Sequence, residues 1–272
     1  MHPILELIRP LTSLMVGFAV FISALIGTGL NIASYILPVL LAVTVAYFFT
    51  ASGNALNDYL DRETDKINHP NRPIPSGRIQ PKQALTLAIV TFGLVIILAW
   101  FINLIAFVIA GIALLIQLAY EKYFKYRGFI GNIMIAAQTA FAFLFGGVAV
   151  GQIKITSILA LLAFFSILGR EIVKDIEDME GDLDRFTLPM KYGRKKASIV
   201  ASFFFILSVV MSPLPYYPLQ IFGGVYLPLV AIADIIFIYS LFIQFKNPKY
   251  ARKTAKAAML IALLAFLAGG LL

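Results

Sequence analysis

The chain has 272 residues, of which 60% are hydrophobic and only 13% are charged, and its formal net charge is +8. A soluble globular domain carries about 25% charged residues, so the composition argues against an ordinary soluble fold. The chain has no cysteine, which excludes disulfides and cysteine-bound metal ions.

Apolar runs cover most of the chain and are long enough to cross a membrane. A bilayer core about 30 Å thick needs roughly 20 apolar helical residues per crossing. We therefore predict an all-α polytopic membrane protein that forms a single domain over residues 1–272, with nine transmembrane helices. A tight turn near Asn103 is expected to join the third and fourth helices. The nine runs are 11–30, 35–56, 84–101, 102–120, 132–150, 155–168, 197–211, 225–245 and 257–272.

The basic residues predict how the chain is oriented. Of the 22 Lys and Arg residues, all but Lys154 fall in alternate loops, so nine crossings place them on one face. Cytoplasmic loops carry an excess of Lys and Arg, which makes that face cytoplasmic. We therefore expect a cytoplasmic N-terminus and an external C-terminus. The positive charge is explained by topology and does not indicate a nucleic-acid partner.

The acidic residues form two clusters with the same spacing. The sequences are NDYLDRETD, 57–65, and KDIEDMEGD, 174–182, and each has Asp at positions 1, 4 and 8 counted from its first Asp. Residues three and four apart share a helix face, so a continuous helix would align the three carboxylates. The clusters end the second and sixth predicted helices, which run in the same direction. This predicts two pseudo-repeats around a central cavity capped by cytoplasmic loops. The carboxylates are those of Asp58, Asp61, Asp65, Asp175, Asp178 and Asp182.

Six facing carboxylates repel one another and require a compensating cation. Hard oxygen ligands suit Mg²⁺ or Ca²⁺, and Mg²⁺ typically pairs one or two carboxylates with substrate phosphates. His2 and His69 are the only histidines, which disfavours zinc. A single acidic cluster of this kind is often no more than solvated charge. Two clusters with one spacing at equivalent helix ends favour a metal site.

Four basic residues lie close to the carboxylates and are predicted to bind diphosphate. Arg side chains bind phosphate bidentately, whereas Lys acts as a point charge. Carboxylates, Mg²⁺, basic residues and an apolar surround together indicate a substrate with a diphosphate head and a hydrocarbon tail. Ionisation of an allylic diphosphate gives a cation that must be shielded from water. The predicted diphosphate ligands are Arg72, Lys125, Arg170 and Lys174.

The motifs resemble those of the UbiA superfamily of intramembrane prenyltransferases. NDYLDRETD and KDIEDMEGD fit its two signatures, and NRPIPSG, 71–77, and TLPMKYGRKKA, 187–197, are similar to the segments that follow them. The resemblance implies that Asn57 and the six aspartates bind two Mg²⁺ ions and the diphosphate. It implies further that Arg72 and Lys125 hold phosphate oxygens. As catalytic residues we predict Asn57, Asp61, Asp178 and Asp182.

The resemblance also implies residues that line the substrate cavity, namely Asn54, Tyr120 and Asn132. The sequence departs from the family at one place. Many relatives have Tyr four residues before the lysine of the loop after the fourth helix, and here Glu121 occupies that position while Tyr120 lies five residues before Lys125.

Two polar residues inside predicted spans are further candidates for the cavity. Asp234 is the one acid deep in a span, and an intramembrane carboxylate is a functional candidate. It either lines the cavity or is protonated and hydrogen-bonded to a neighbouring helix. Gln138 in the fifth helix is the second candidate.

The acceptor is the most open part of the prediction. GFIGN, 128–132, and REIVKDIEDMEGD, 170–182, most resemble the archaeal lipid-forming branch of the family. That resemblance implies transfer of a geranylgeranyl group from geranylgeranyl diphosphate to the glycerol 2-hydroxyl of geranylgeranylglyceryl phosphate. An alternative is an aromatic acceptor of the 4-hydroxybenzoate type. From another class, a cation-coupled transporter is possible in principle, although it would place its acids near the bilayer midplane.

Overall fold

A computed structural model describes residues 2–125, 127–179 and 186–271, and this part of the chain is almost entirely helical. Short helices lie at the predicted cytoplasmic face and long helices form a bundle. The helices are α1 (Pro3–Ile8), α2 (Pro10–Thr28), α3 (Ile36–Leu60), α4 (Arg62–Asn68), α5 (Pro81–Ile102), α6 (Leu104–Ala119), α7 (Phe129–Ala149), α8 (Ile153–Asp178), α9 (Leu188–Tyr192), α10 (Arg194–Met211), α11 (Tyr226–Ile243) and α12 (Pro248–Leu271). A 3₁₀ turn (Gly29–Tyr35) links α2 to α3, and a π-helical turn (Tyr120–Phe124) follows α6.

The long helices agree with the predicted apolar runs, although several extend beyond them. Within the described ranges, seven helical segments are long and apolar enough to cross a membrane, and the first of them, Pro10–Leu60, contains both α2 and α3. Helix α10 does not meet that criterion, and three basic residues occupy its first turn. The chain is therefore a multi-pass helical membrane protein, while the count of nine crossings stays a prediction.

The predicted turn between α5 and α6 is present at Asn103. Its backbone is extended, and its side-chain oxygen caps α6 by accepting a hydrogen bond from the Ala106 N–H at 2.8 Å. Its amide group also donates to the Val148 carbonyl at 3.0 Å. This side chain therefore caps α6 and ties the turn to α7.

The same pattern of neighbours occurs in both halves of the bundle. Helix α3 packs between α2 and α5, and α8 packs in the same way between α7 and α10. Helices α2 and α7 contact each other at the centre, and α12 closes the bundle against α8, α11 and α2. This arrangement supports two pseudo-repeats, and it brings the C-terminal ends of α3 and α8, which carry the two motifs, to one face.

Close helix packing depends on small residues at two contacts. A Cβ atom on Gly146 of α7 would lie 2.8 Å from the Ser23 Cβ on α2, and one on Gly169 of α8 would lie 2.9 Å from the Phe205 ring on α10. Small residues at such contacts let helix backbones approach, and packing of this kind drives helix association in a bilayer. The two glycines thus hold α7 and α8, which carry site residues, tightly against their neighbours.

Candidate active site

The first motif is split by a break in the helix. Helix α3 ends at Leu60, and Asp61 has φ −82° and ψ 2°, after which α4 starts at Arg62. Backbone hydrogen bonds of 2.8 Å from the Asp61 N–H to the Asn57 carbonyl and from the Asp65 N–H to the Asp61 carbonyl continue across this position, so the stripe of three aligned carboxylates stays a prediction. Asp58 and Asp65 lie on a common side, whereas the Asp61 carboxylate contacts a different basic residue.

Asp58 is buried and is paired with arginines from two directions. Only 2% of its surface is exposed. The Arg9 Nη2 lies 2.5 Å from the Asp58 Oδ1, and the Arg72 Nη1 lies 3.6 Å from the same oxygen. Arg9 joins α1 to α2 in a left-handed conformation with φ 47°, which is uncommon for a residue with a Cβ. A residue keeps such a backbone conformation only when the contacts around it stabilise that conformation, and here Arg9 forms an ion pair with Asp58.

Arg72 also binds the third carboxylate of the motif. Its Nη1 lies 2.6 Å from the Asp65 Oδ2, and Asp65 is 4% exposed. The turn after α4 positions this arginine: its N–H donates to the His69 carbonyl at 3.0 Å, and its own carbonyl accepts from the Ser76 N–H at 3.0 Å. The segment 71–77 is therefore a structured turn that presents Arg72 to two aspartates.

Asp61 belongs to a network around Lys125. The Lys125 Nζ lies 2.5 Å from the Asp61 Oδ2 and 3.2 Å from the Glu121 Oε2. Glu121 also accepts hydrogen bonds from the side-chain amides of Asn57, at 3.1 Å, and Gln117, at 3.2 Å. The lysine thus lies at the centre of a buried group that includes two residues of the first motif.

Helix α8 carries the second motif without a break as far as Asp178. Asp175 is buried and accepts a hydrogen bond from the Asn132 Nδ2 at 2.8 Å. Glu171, one turn earlier, contacts Arg170 and lies 3.8 Å from the Lys174 Nζ. Asp182 lies outside the described residues, so its predicted role stays a prediction.

A small cavity lies between Lys125 and the second motif. It has a volume of about 20 Å³ and is lined by side chains that include Tyr120, Lys125, Asn132, Lys174 and Asp175. Lys125 contacts Asp61 of the first motif and shares this cavity with Asp175 of the second. Lys125 is therefore the described residue that links the two sequence-predicted clusters.

The oxygen-rich donor set fits a hard divalent cation. Carboxylate and amide oxygens are the ligands that Mg²⁺ accepts, and the described site residues offer no sulfur or imidazole ligand. In the ranges 2–125, 127–179 and 186–271, no three acidic or histidine side chains are grouped closely enough to hold a metal ion. Instead Arg9, Arg72 and Lys125 supply the positive charge that the clustered aspartates require.

Two apolar cavities extend into the bundle below the motifs. The larger, about 290 Å³, lies among α2, α7, α8, α10, α11 and α12, and both Arg170 and Asp234 line it. Asp234 accepts a hydrogen bond from the Ser212 hydroxyl at 2.6 Å, so it both lines the cavity and bonds to α10's C-terminal end. Gln138 lines a separate cavity of about 60 Å³ on the other side of α7, and its Nε2 has no hydrogen-bond partner among the described residues.

Two predicted residues make contacts that the sequence did not indicate, and their predicted roles stay predictions. Asn54 contacts the segment between α1 and α2, where it donates to the Ile8 carbonyl at 3.3 Å and accepts from Arg9 at 3.4 Å. Arg170, predicted as a diphosphate ligand, lines the 290 Å³ cavity beside Glu171. A still larger groove of about 670 Å³ lies between α1 and α5, and no carboxylate of either motif lines it.

Arg9 and Glu121 are site residues that sequence reasoning missed. Arg9 was explained by topology alone, yet it is the one basic residue before the first predicted helix. Glu121 was noted as a departure from the family, although an acid four residues before Lys125 is placed to contact it on one helix face. Both side chains contact residues of the first motif.

Comparisons with known proteins agree with this architecture. The model of the UbiA prenyltransferase family matches residues 15–267. A protein of Methanosphaera stadtmanae named digeranylgeranylglyceryl phosphate synthase is 40% identical over 100% of both chains. A protein of the same name from Methanocaldococcus jannaschii is 44% identical over 98% of this chain and 95% of its own.

Solved structures share the fold over nearly the whole chain. A structure described as a digeranylgeranylglyceryl phosphate synthase superposes with a TM-score of 0.90 at 42% identity, covering 98% of this chain and 97% of its own. A UbiA homologue from Archaeoglobus fulgidus bound to DMAPP and Mg²⁺ superposes with a TM-score of 0.72 at 19% identity, covering 98% and 97%. The fold and site define a polytopic intramembrane enzyme. The chain belongs to the UbiA prenyltransferase family, which decides against the transporter that the sequence left open.

Proposed function

We propose that the chain transfers a geranylgeranyl group from geranylgeranyl diphosphate to the glycerol 2-hydroxyl of geranylgeranylglyceryl phosphate. The product carries the second ether bond of an archaeal membrane lipid. The observation that supports the proposal is that Lys125 pairs with Asp61 of the first motif and shares a cavity with Asp175 of the second, in a bundle that also holds a cavity with mainly apolar walls. The names of the full-length relatives support the choice of acceptor.

The metal ligands would come from both motifs. When bound, Mg²⁺ neutralises the diphosphate that leaves as its carbon–oxygen bond breaks. Solved relatives described as bound to Mg²⁺ with DMAPP or GPP support this choice of cation and donor class. The proposed ligands are Asn57, Asp58, Asp61, Asp65, Asp175, Asp178 and Asp182.

The basic residues would hold the phosphate oxygens. Arg72, Lys125 and Lys174 face the carboxylates, and each would exchange a carboxylate contact for a phosphate contact when the donor and its cation enter. Arg72 presents a bidentate fork, whereas each lysine supplies a point charge. Their positive charge stabilises the departing diphosphate as the negative charge on its bridging oxygen grows.

The apolar cavity would receive the hydrocarbon tails and exclude water from the allylic carbon. The glycerol oxygen then forms a bond to that carbon as the diphosphate leaves, and the hydroxyl proton is lost. Because water is excluded from such a site, it cannot compete with the acceptor for the allylic cation. The cytoplasmic loops that carry the motifs place the reaction at the cytoplasmic membrane surface, as positive-inside charge predicts.

A panel of acceptors tests the proposal. The purified protein is given Mg²⁺, labelled geranylgeranyl diphosphate and, separately, geranylgeranylglyceryl phosphate, 4-hydroxybenzoate or haem. We expect a labelled diether product with the glyceryl phosphate alone, and none when a chelator removes the cation. Product with 4-hydroxybenzoate alone would replace the lipid assignment by the aromatic alternative.

A further inference from the structure

The 290 Å³ cavity has a feature that the diphosphate site does not explain, which is a pair of basic side chains at its edge. Arg170 of α8 and Lys256 of α12 both line it, among walls that are otherwise mainly apolar. A hydrocarbon tail needs no cations. The basic pair therefore indicates that the occupant of this cavity carries an anionic group as well as a tail.

The two basic residues lie near the cytoplasmic ends of their helices, within about one helical turn of each other in depth. Arg170 follows the apolar run 155–168 of α8, and Lys256 precedes the apolar run 257–272 of α12. The two helices are antiparallel neighbours, and an ion pair between Arg252 and Glu177, at 2.7 Å, fixes their register at the cytoplasmic side. An amphiphile in the cavity would thus have its anionic head between α8 and α12 and its tail deeper in the bundle.

Lys256 is available for a ligand. It has no ion-pair or hydrogen-bond partner in the ranges 2–125, 127–179 and 186–271. Four other basic residues precede it on α12 or in the loop before α12, and one of them, Arg252, forms an ion pair with Glu177. Arg170 contacts Glu171, which leaves other donors of its planar guanidinium group for a second anion.

The acid in this cavity lies deeper than Lys256 and at about the level of Arg170. The hydroxyls of Ser240 and Thr254 are 2.7 Å apart, which sets the antiparallel register of α11 and α12 and puts Asp234 beside Leu260. That position is about one helical turn, roughly 5 Å, farther from the cytoplasm than Lys256. Asp234 also accepts a hydrogen bond from the Ser212 hydroxyl. An anion beside Lys256 therefore lies about one turn away from this carboxylate and is reached by the long Arg170 side chain.

From these observations we propose that Arg170 and Lys256 form a second anion subsite, which binds the phosphate monoester of the lipid acceptor. The proposal rests on the function proposed above and adds where the acceptor's head lies. Donor and acceptor both carry phosphate, and two such groups repel each other in one pocket. Separate subsites avoid that repulsion, and the contact between Arg170 and Glu171 keeps the acceptor subsite adjacent to the carboxylates that face the diphosphate.

Kinetics with matched acceptors test the subsite. The full-length protein, Lys256→Met, Lys256→Arg and the control Lys253→Met are assayed with geranylgeranylglyceryl phosphate and with its neutral counterpart that lacks the phosphate. Lys253 and Lys256 are both exposed on this helix, and of the two only Lys256 lines the cavity. We expect Lys256→Met to raise KM for the phosphorylated acceptor about 10- to 100-fold, the value of a hydrogen bond to a charged group. KM for the diphosphate donor and for the neutral acceptor should stay at the wild-type value.

The conservative variant and the control separate a specific role from a structural one. Lys256→Arg should restore KM for the phosphorylated acceptor, since a guanidinium also binds phosphate, and Lys253→Met should behave as wild type. Equal losses with the two acceptors, or equal effects of Lys256→Met and Lys253→Met, would overturn the subsite. An unchanged KM in Lys256→Met would do the same.

A binding experiment distinguishes failure of the subsite from failure of the proposed function. Calorimetry measures binding of a C20 alkyl glycerol phosphate to the full-length protein in detergent, without donor or Mg²⁺. Weaker binding in Lys256→Met but not in Lys253→Met supports the subsite even when no ether product forms, and in that case the proposed function alone fails. Absence of binding to the wild type, or equal binding to all variants, rules out the subsite whatever the transfer assay shows. Arg170→Gln provides a second variant, for which we expect the same selective loss.

Discussion

The two carboxylate motifs have the same spacing but different partners among the described residues. In the first, α3 ends at Leu60, α4 starts at Arg62, and the aspartates pair with Arg9, Arg72 and Lys125. In the second, α8 continues to Asp178, and Asp175 accepts a hydrogen bond from the Asn132 amide. Basic side chains from three separate segments therefore hold the aspartates of the first motif, and a side chain of α7 helps to position the second motif.

Removing one carboxylate from each motif tests whether the two contribute equally to catalysis. We expect Asp61→Ala and Asp178→Ala each to lower kcat/KM by about 100-fold or more, since loss of a residue that merely supports a metal ligand already costs about 10- to 100-fold. Steady-state transfer assays measure the loss, and an unchanged elution profile and Tm show that the fold survives.

Glu63 is the matched control because it lies in the first motif but is exposed and pairs with Lys66. Glu63→Ala should retain activity near the wild-type level. Full activity in both aspartate variants would refute the metal-site assignment, and loss in one alone would show that the motifs are not equivalent.

Removing one arginine from each half tests whether the more buried ion pairs contribute more to the free energy of unfolding. Arg72→Ala leaves the nearly buried Asp58 and Asp65 with less compensation, and we expect a loss of about 3 kcal/mol in the free energy of unfolding, near the lower end for a broken buried pair because Arg9 remains beside Asp58. Arg252→Ala breaks the more exposed pair with Glu177 and should cost less than about 1 kcal/mol.

Thermal unfolding of both variants in one detergent, in buffer of low and high salt, measures these costs. The Arg72 variant should lose more stability than the Arg252 variant at either salt concentration. Equal losses would show that the difference in burial between these two ion pairs does not determine their contribution to stability.

The smallest expected effect concerns the contact that fixes α1, the helix before Arg9. The Arg78 guanidinium donates hydrogen bonds to Glu6 and lowers the pKa of that carboxyl below its ordinary value of 4.5. A depressed pKa stabilises the fold above 4.5, and the contribution is lost as the pH falls through the folded-state value.

The pH dependence of Tm in the wild type and in Glu6→Gln measures this contribution. The two proteins should differ slightly at neutral pH and converge in acid below 4.5. A difference that persists at low pH would show that the side chain acts through packing and not through its charge.

The sequence predicts the bundle better than it predicts the contacts within the site. Apolar runs predict the long helices because burial in lipid depends on composition, and the cap at Asn103 follows from residue type and position. The break at Asp61 could not be predicted, because the residues around it have no Gly or Pro and the local sequence is compatible with a continuous helix. Contacts between distant segments, such as Arg9 with Asp58 or Glu121 with Asn57, depend on tertiary packing that no local pattern records.

The positions of the basic partners of the first motif determine when its contacts can form during synthesis of the chain. Arg9, Arg72 and Lys125 all precede α7, and the N-terminal part of a chain emerges first during synthesis. The buried aspartates of the first motif can therefore be neutralised before the second half of the protein exists. Glu177 near the end of α8 must instead wait for Arg252, about 75 residues later, so the two halves differ in when they can fold.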